Sequence, residues 1–244
     1  QSFEISSISI GLAKRLSVPD DYFLLSQALT YQYFNLNNYF TGLFKNTNMI
    51  YPIVAYGDPV LRKKAMDIPM DFKDLNQLIE DMFETMYGAS GIGLAAPQIG
   101  KPIRLFIVDA TPFEDDQELS QEDRALLGKF KKVFINAEIL QEQGDKWGFN
   151  EGCLSIPDIR EDVFRRDEIT IRYYDSDFNE YTEVYSGIAA RIIQHEYDHI
   201  EGILFTDYLS PLKKRMIKNK LVQISKGLIR AEYRMKYPLA KKKR

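Results

Sequence analysis

In the stretch His195-Glu196-Tyr197-Asp198-His199, two histidines stand four residues apart with a glutamate beside the first. On a helix, positions i and i+4 lie on one side, one turn from each other. The two imidazoles can therefore converge on a single metal ion, with Glu196 in reach of a water on it. These are the only histidines in 244 residues. The alternative is a solvated helix face carrying an incidental His–Glu pair. Ile192, Ile193, Ile200 and Ile203 flank the stretch and predict a buried helix instead.

A catalytic tetrahedral site wants three protein ligands and one open position. Two histidines leave one ligand to find. Glu201 is too near His199 to swing round, and there is no third histidine. The single cysteine, Cys153, is the remaining strong donor, because a thiolate binds Zn²⁺ or Fe²⁺ well. A lone cysteine is otherwise an inert buried thiol, but a two-histidine site short of a ligand turns the balance toward ligation. One cysteine also excludes an intramolecular disulfide, which suits a reducing cytoplasm.

Length and composition fit one well-packed domain with appendages, or at most two small domains. Hydrophobic residues make up 45% and charged residues 27%, the balance of an ordinary globular chain. No apolar run is long enough to span a bilayer as a helix. The net charge of −3 hides an asymmetry. Residues 210–244 hold thirteen Lys/Arg against one acid, Glu232, and so carry +12, leaving −15 on the other 209 residues. An acidic body with a basic tail is a layout for contact with a polyanion.

Residues 1–48 are rich in Tyr, Phe, Asn and Ser and hold no motif or secretory signal. They read as an extension of unknown role, a packing arm or a translated upstream stretch, with Met49 as a natural start. Asp58 and Pro59 open a short helix as cap and first residue. Asp71 is the expected cap of a longer helix carrying Leu75, Leu78, Ile79, Met82, Phe83 and Met86, ended by Gly88 and Gly91. The Gly91–Gln98 segment is either a tight turn or a binding loop, and it lacks the Lys-Ser/Thr ending of a phosphate loop. Residues 104–109 and 133–140 read as strands, residues 114–123 as an acidic surface excursion, and residues 144–148 as a turn. Residues 168–174 and 181–185 form a hairpin around a 175–179 turn. Ser186 and Gly202 bound the histidine helix as cap and stop. Residues 211–234 read as a basic terminal helix with Leu212, Met216, Leu221, Ile224 and Leu228 on its apolar side.

Three ordered stretches now stand together: Gly91-Ile92-Gly93-Leu94-Ala95-Ala96-Pro97-Gln98, then Glu151-Gly152-Cys153-Leu154-Ser155, then Gln194-His195-Glu196-Tyr197-Asp198-His199. In order and spacing they closely resemble the GxGLAAxQ, EGCLS and QHExxH motifs of the peptide deformylase family. The resemblance covers residues 49–209, the expected catalytic domain. It says nothing of residues 1–48 and little of the basic 210–244 helix and tail. It implies an α+β fold, antiparallel sheets packed around the central HExxH helix, with a C-terminal helix. Cys153, His195 and His199 would hold the metal, natively Fe²⁺, with Zn²⁺ or Ni²⁺ able to occupy the site. Glu196 would be the general acid/base, and Gln98 with the Leu154 N–H would form the oxyanion site. Gly93 would pair with substrate backbone, while Ile92, Gly152, Ile188 and Ile192 would line the methionine pocket. Arg191 stands where an apolar residue is common; either its stem packs while its head reaches water, or the pocket wall differs.

The implied reaction removes the formyl group from N-terminal formyl-methionine of newly made polypeptides, with metal-bound hydroxide as nucleophile and formate as product. A cytoplasmic location follows, with no membrane contact and no sequence-specific nucleic acid. The basic tail could dock on the ribosome through its phosphates. A zinc endopeptidase would share the histidines and Glu196 but give Cys153 and the glycine loop no role. A structural metal module wants four ligands where three are found, and a nucleic-acid deaminase needs a Pro-Cys-x-x-Cys partner that is missing.

Overall fold

The computed structural model describes residues 49–229 and 231–240. The extension 1–48 and the last four residues, 241–244, lie outside the described residues.

The central element is a five-stranded antiparallel sheet in the order β2 (Gly93–Ala95), β3 (Leu105–Asp109), β4 (Lys131–Cys153), β5 (Ile156–Tyr174) and β6 (Glu180–Ser186). β3 is buried along its whole length, and its alternation decides which layer covers each face. Phe106 and Val108 face one hydrophobic group with Ala189, Ala190, Ile192, Ile193 and Ile200 of helix α3 (Gly187–Glu201). Leu105 and Ile107 face another with Leu78, Ile79, Met82 and Met86 of helix α1 (Leu75–Gly88). The sheet is thus packed between the histidine helix and α1, as the α+β expectation required. The three buried isoleucines of α3 are stabilised by about 1.5–3 kcal/mol each. That outweighs the few tenths of a kcal/mol by which β-branching disfavours a helix. Ile203, expected to be buried with them, is 36% exposed because the helix has already ended.

The stop is Gly202, in the left-handed region at φ 77° with its N–H on the last helical carbonyls. At the other end Ser186 occupies the cap position but makes no side-chain cap bond. α1 likewise starts later than expected: Asp71 is not its cap, and Asp74 holds that position at φ 58°. Asp58 does cap, accepting from Val60 N at 3.0 Å.

Three other expectations change. The 144–148 segment is not a turn between elements. It lies inside β4, 23 residues long, whose outer half runs alongside β5 with register shifts near Gly144. The acidic excursion runs into helix α2 (Gln121–Leu127), which is capped by Ser120 and continues past the expected end at 123. The terminal helix α4 (Pro211–Ser225) stops nine residues short of the expected end. It buries Ile217, Leu221 and Ile224 against Phe205, Leu209 and Ile156, leaving Leu212, Met216 and Leu228 exposed. The chain then doubles back as β7 (Met235–Lys236), parallel to β1 (Ile53–Val54). Among the described residues no helix is long and apolar enough to cross a membrane.

Candidate metal centre and active site

Three elements from separate parts of the chain meet at one point. α3 presents His195 and His199 from successive turns, their rings 5.2 Å apart and nearly perpendicular. β4 ends at Cys153, whose Sγ lies 3.3 Å from His199 Nε2. The ligating atoms of Cys153, His195 and His199 all lie within 4.8 Å of one another. That spacing lets one ion at the usual metal–sulfur and metal–nitrogen distances touch all three. A soft thiolate beside two imidazoles is a donor set for Zn²⁺, Fe²⁺ or Ni²⁺ rather than for Mg²⁺ or Ca²⁺. Glu201, set aside above as too close, is taken up in ion pairs with Arg104 at 2.6 Å and Lys64 at 2.9 Å.

The ring of His195 is fixed from behind. Its Nδ1 lies 2.9 Å from Glu151 Oε2, and that buried carboxylate also accepts from Arg165 Nε at 2.7 Å and Arg191 Nη1 at 3.1 Å. A carboxylate so placed only accepts, so Nδ1 donates to it and Nε2 is the ring nitrogen left to face a metal. Burial alone would raise the Glu151 carboxyl, but its bonds from His195 and Arg165 hold it well below the usual carboxylate range. Arg165 reaches on to Asp198 at 2.6 Å, which accepts from Tyr208 at 3.0 Å. Burial pushes His199 well below the ordinary histidine value, leaving it neutral. Burial opposes charge on His195 too, but Cys153 and Glu151 carry it well above that value.

Glu196 is buried, and its Oε2 has no protein partner. Burial pushes its carboxyl up to about 7, with nearby Glu151 adding to the rise and His195 opposing it. A carboxyl poised there both takes and returns a proton at neutral pH. Gly93 makes room for it: a Cβ at that position would stand 2.3 Å from Glu196 Oε1. Gln98 follows in the short 3-10 turn after β2, so the glycine segment is a strand edge leading into a turn. Its Oε1 accepts from Ala95 N at 2.8 Å. That bond turns its Nε2 toward Cys153 Sγ, at 3.5 Å, and Ser155 Oγ, at 3.4 Å.

These groups open on a cavity of about 910 Å³. Ile92, Gly93, Gln98, Gly152, Leu154 and Ile192 all line it, together with Cys153, His195 and Glu196. Ile188 does not line it, and packs instead beside the α3–sheet core. Arg191 lines it, but its head does not reach water. The guanidinium is buried over the Trp147 ring at 4.4 Å and donates to Trp147 O at 2.7 Å, Val163 O and Glu151. Reading the sequence missed Glu151, Arg165 and Asp198 as supports, and Phe113, Phe149 and Tyr233 as lining. Glu151 and Asp198 sit inside the motifs, a signal that was available; the others carry none.

Residues 50–215 match the polypeptide deformylase family model. A peptide deformylase from Christiangramia forsetii is 60% identical over 196 residues, 80% of this chain and 100% of its own length. One from Flavobacterium psychrophilum is also 60% identical over 196 residues, with the same coverage of both chains. The crystal structure of a peptide deformylase from Legionella pneumophila superposes with a TM-score of 0.61 at 38% identity. The match covers 71% of this chain and 94% of that one.

Proposed function

This chain belongs to the polypeptide deformylase family, and we propose that Cys153, His195 and His199 hold its metal ion while Glu196 moves its protons. It is a metal-dependent hydrolase that removes the formyl group from N-terminal formyl-methionine of newly synthesised polypeptides, releasing formate. The observation that carries the residue assignment is the convergence of one thiolate and two imidazoles beside a buried, unpartnered Glu196 oxygen.

A divalent ion held by Cys153, His195 and His199 would supply Lewis acidity toward water and toward a carbonyl oxygen. Our reading of the ion is Fe²⁺, with Zn²⁺ or Ni²⁺ able to take the same three donors. The formyl-methionine lies with its side chain against Ile92, Gly152 and Ile192, and its backbone along the open edge at Gly93. Glu196 takes a proton from the attacking water and delivers it to the departing nitrogen. As the formyl carbon becomes tetrahedral, the Gln98 amide and the Leu154 N–H donate to its oxygen; losing one such donor removes about 2.7–4 kcal/mol of transition-state stabilisation. Ile188 packs against the core shared by α3 and the sheet and does not line the cavity.

The catalytic domain on this reading starts at Met49, with residues 1–48 dispensable for chemistry. It extends beyond Leu209, because α4 and β7 pack into it. The protein works in the cytoplasm, and its basic C-terminal segment draws it to ribosomal phosphates. The test is formate release from formyl-Met peptides measured alongside bound metal. Wild-type protein should hold about one ion per chain and release formate, and Cys153→Ala should lose both. A Cys153→Ala protein with stoichiometric metal and near-normal turnover would remove that residue from the site.

A further inference from the structure

A hairpin turn leaves carbonyls outside the strand ladder, and those shielded from water need partners elsewhere. Between β4 and β5 the last ladder partners are Cys153 and Ile156, so Leu154 and Ser155 form the turn. Both of its carbonyls are taken by residues remote in sequence. Ser155 O accepts from Tyr56 N at 2.8 Å, and Leu154 O accepts from the Tyr233 hydroxyl at 2.8 Å. Tyr56 stands two residues after β1 and Tyr233 two residues before β7, and those strands are hydrogen-bonded to each other. Tyr233 is half-buried and lines the cavity with Ala231 and Glu232, so the returning C-terminal segment reaches the site itself.

We infer that the Tyr233 hydroxyl is a positioning group for the Leu154 peptide, holding the turn that presents both the Cys153 thiolate and the Leu154 N–H. The inference rests on the deformylase reading of the site. Tyr233 need touch no reacting atom; it acts through Leu154. Gln98 already ties the Cys153 and Ser155 side chains, and Tyr56 ties the Ser155 carbonyl. The Leu154 carbonyl is the remaining point about which the turn could rock, and Tyr233 closes it. A displacement of about 1 Å at such a place is enough to slow a reaction by about a hundredfold.

The experiment is Tyr233→Phe in the full chain, which deletes one oxygen and keeps the ring. With metal bound, kcat for a formyl-Met peptide should fall about three- to tenfold, while KM stays within about twofold. In the metal-free protein, backbone amides of residues 152–156 should exchange with deuterium faster than in wild type, with exchange in α1 and β3 unchanged. The inference requires both the kcat loss and the local rise in exchange; absence of either overturns it. Exchange that rises everywhere marks a merely structural residue and overturns it as well. Wild-type protein that releases no formate would instead refute the functional reading, and the metal-free exchange comparison would still show whether Tyr233 holds the turn.

Discussion

Replacing Glu151 with Gln tests the buried charge cluster behind His195. Glu151, Arg165, Arg191 and Asp198 carry two positive and two negative charges, with side chains between 3% and 9% exposed. Glutamine keeps the shape but leaves the cluster at +1. Its amide also turns a donor toward groups that donate: with Oε1 kept on Arg165 Nε, the NH₂ faces Arg165 Nη2 and His195 Nδ1. Removing one partner of a buried ion pair costs about 3–5 kcal/mol. Retention of one good bond and of the Arg165–Asp198 pair places Glu151→Gln near about 3 kcal/mol. Against a total stability of about 5–15 kcal/mol this is a large fraction. A second effect is separate. Facing an NH₂ group, His195 Nδ1 must accept, so the proton moves to Nε2 and blocks the lone pair needed for the metal. Metal affinity should fall by about 10- to 100-fold. Urea unfolding of metal-free protein reads the first effect, and competition with a chelator reads the second. An unchanged urea midpoint together with unchanged metal retention would refute the cluster as the support of His195.

Glu196→Gln should keep its metal yet lose about 10²–10⁴-fold in turnover, because the group moves protons and does not ligate; metal loss, seen by elemental analysis, would reject that role. Asp109 accepts from Tyr87 at 2.5 Å and from Thr111 Oγ1 at 2.6 Å, with Lys131 at 3.9 Å. Burial alone would raise its carboxyl, but the Thr111 and Tyr87 bonds hold it below the ordinary value. A depressed carboxyl stabilises above its unfolded value of about 3.9 and loses that contribution as pH falls through the folded value. Wild type should therefore exceed Asp109→Asn by about 1.5–3 kcal/mol at pH 7, and the gap should close below about pH 4 in urea titrations; a pH-independent gap would exclude the charge as its source. A chain starting at Met49 should fold and deformylate at a comparable rate, and insolubility would place the aromatic extension in the core. Reversing the charge of Lys241, Lys242 and Lys243 should weaken ribosome binding and flatten its salt dependence without altering hydrolysis of a short formyl peptide; binding unchanged in co-sedimentation would reduce the segment to a solvated end.

The residues that converge at the site were legible in the sequence because they fall in short local patterns. The four-residue step of His195 and His199 needs only a helix, and the shortage of a third donor led to the lone Cys153. Supports acting across long separations were less legible. Arg191 looked out of place on a pocket wall because its partners, Trp147, Glu151 and Val163, lie 28 to 44 residues earlier. The length of β4 escaped notice because its outer half is largely exposed and pairs only with β5, so no apolar alternation marks it. The early end of α4 escaped for the opposite reason. Leu228 continues the apolar spacing, yet the turn at Gly227, φ 69°, carries it out to solvent.

The pairing of β1 with β7 sets the order in which this enzyme can be completed. Its partners, Ile53 with Met235 and Val54 with Lys236, are separated by about 180 residues of intervening chain. Contacts of that sequence separation form late, because the entropy of closing the loop is lost before the contacts can reward it. The sheet, α1 and the histidine helix can assemble from residues 75–201 without it. The turn at Leu154 receives its last tether only when Tyr233 has been synthesised and folded back. A chain cut short before that residue keeps Cys153, His195, His199 and Glu196 but lacks the tether. On the proposed roles of these residues, a chain ended before Tyr233 should take up metal yet turn over slowly.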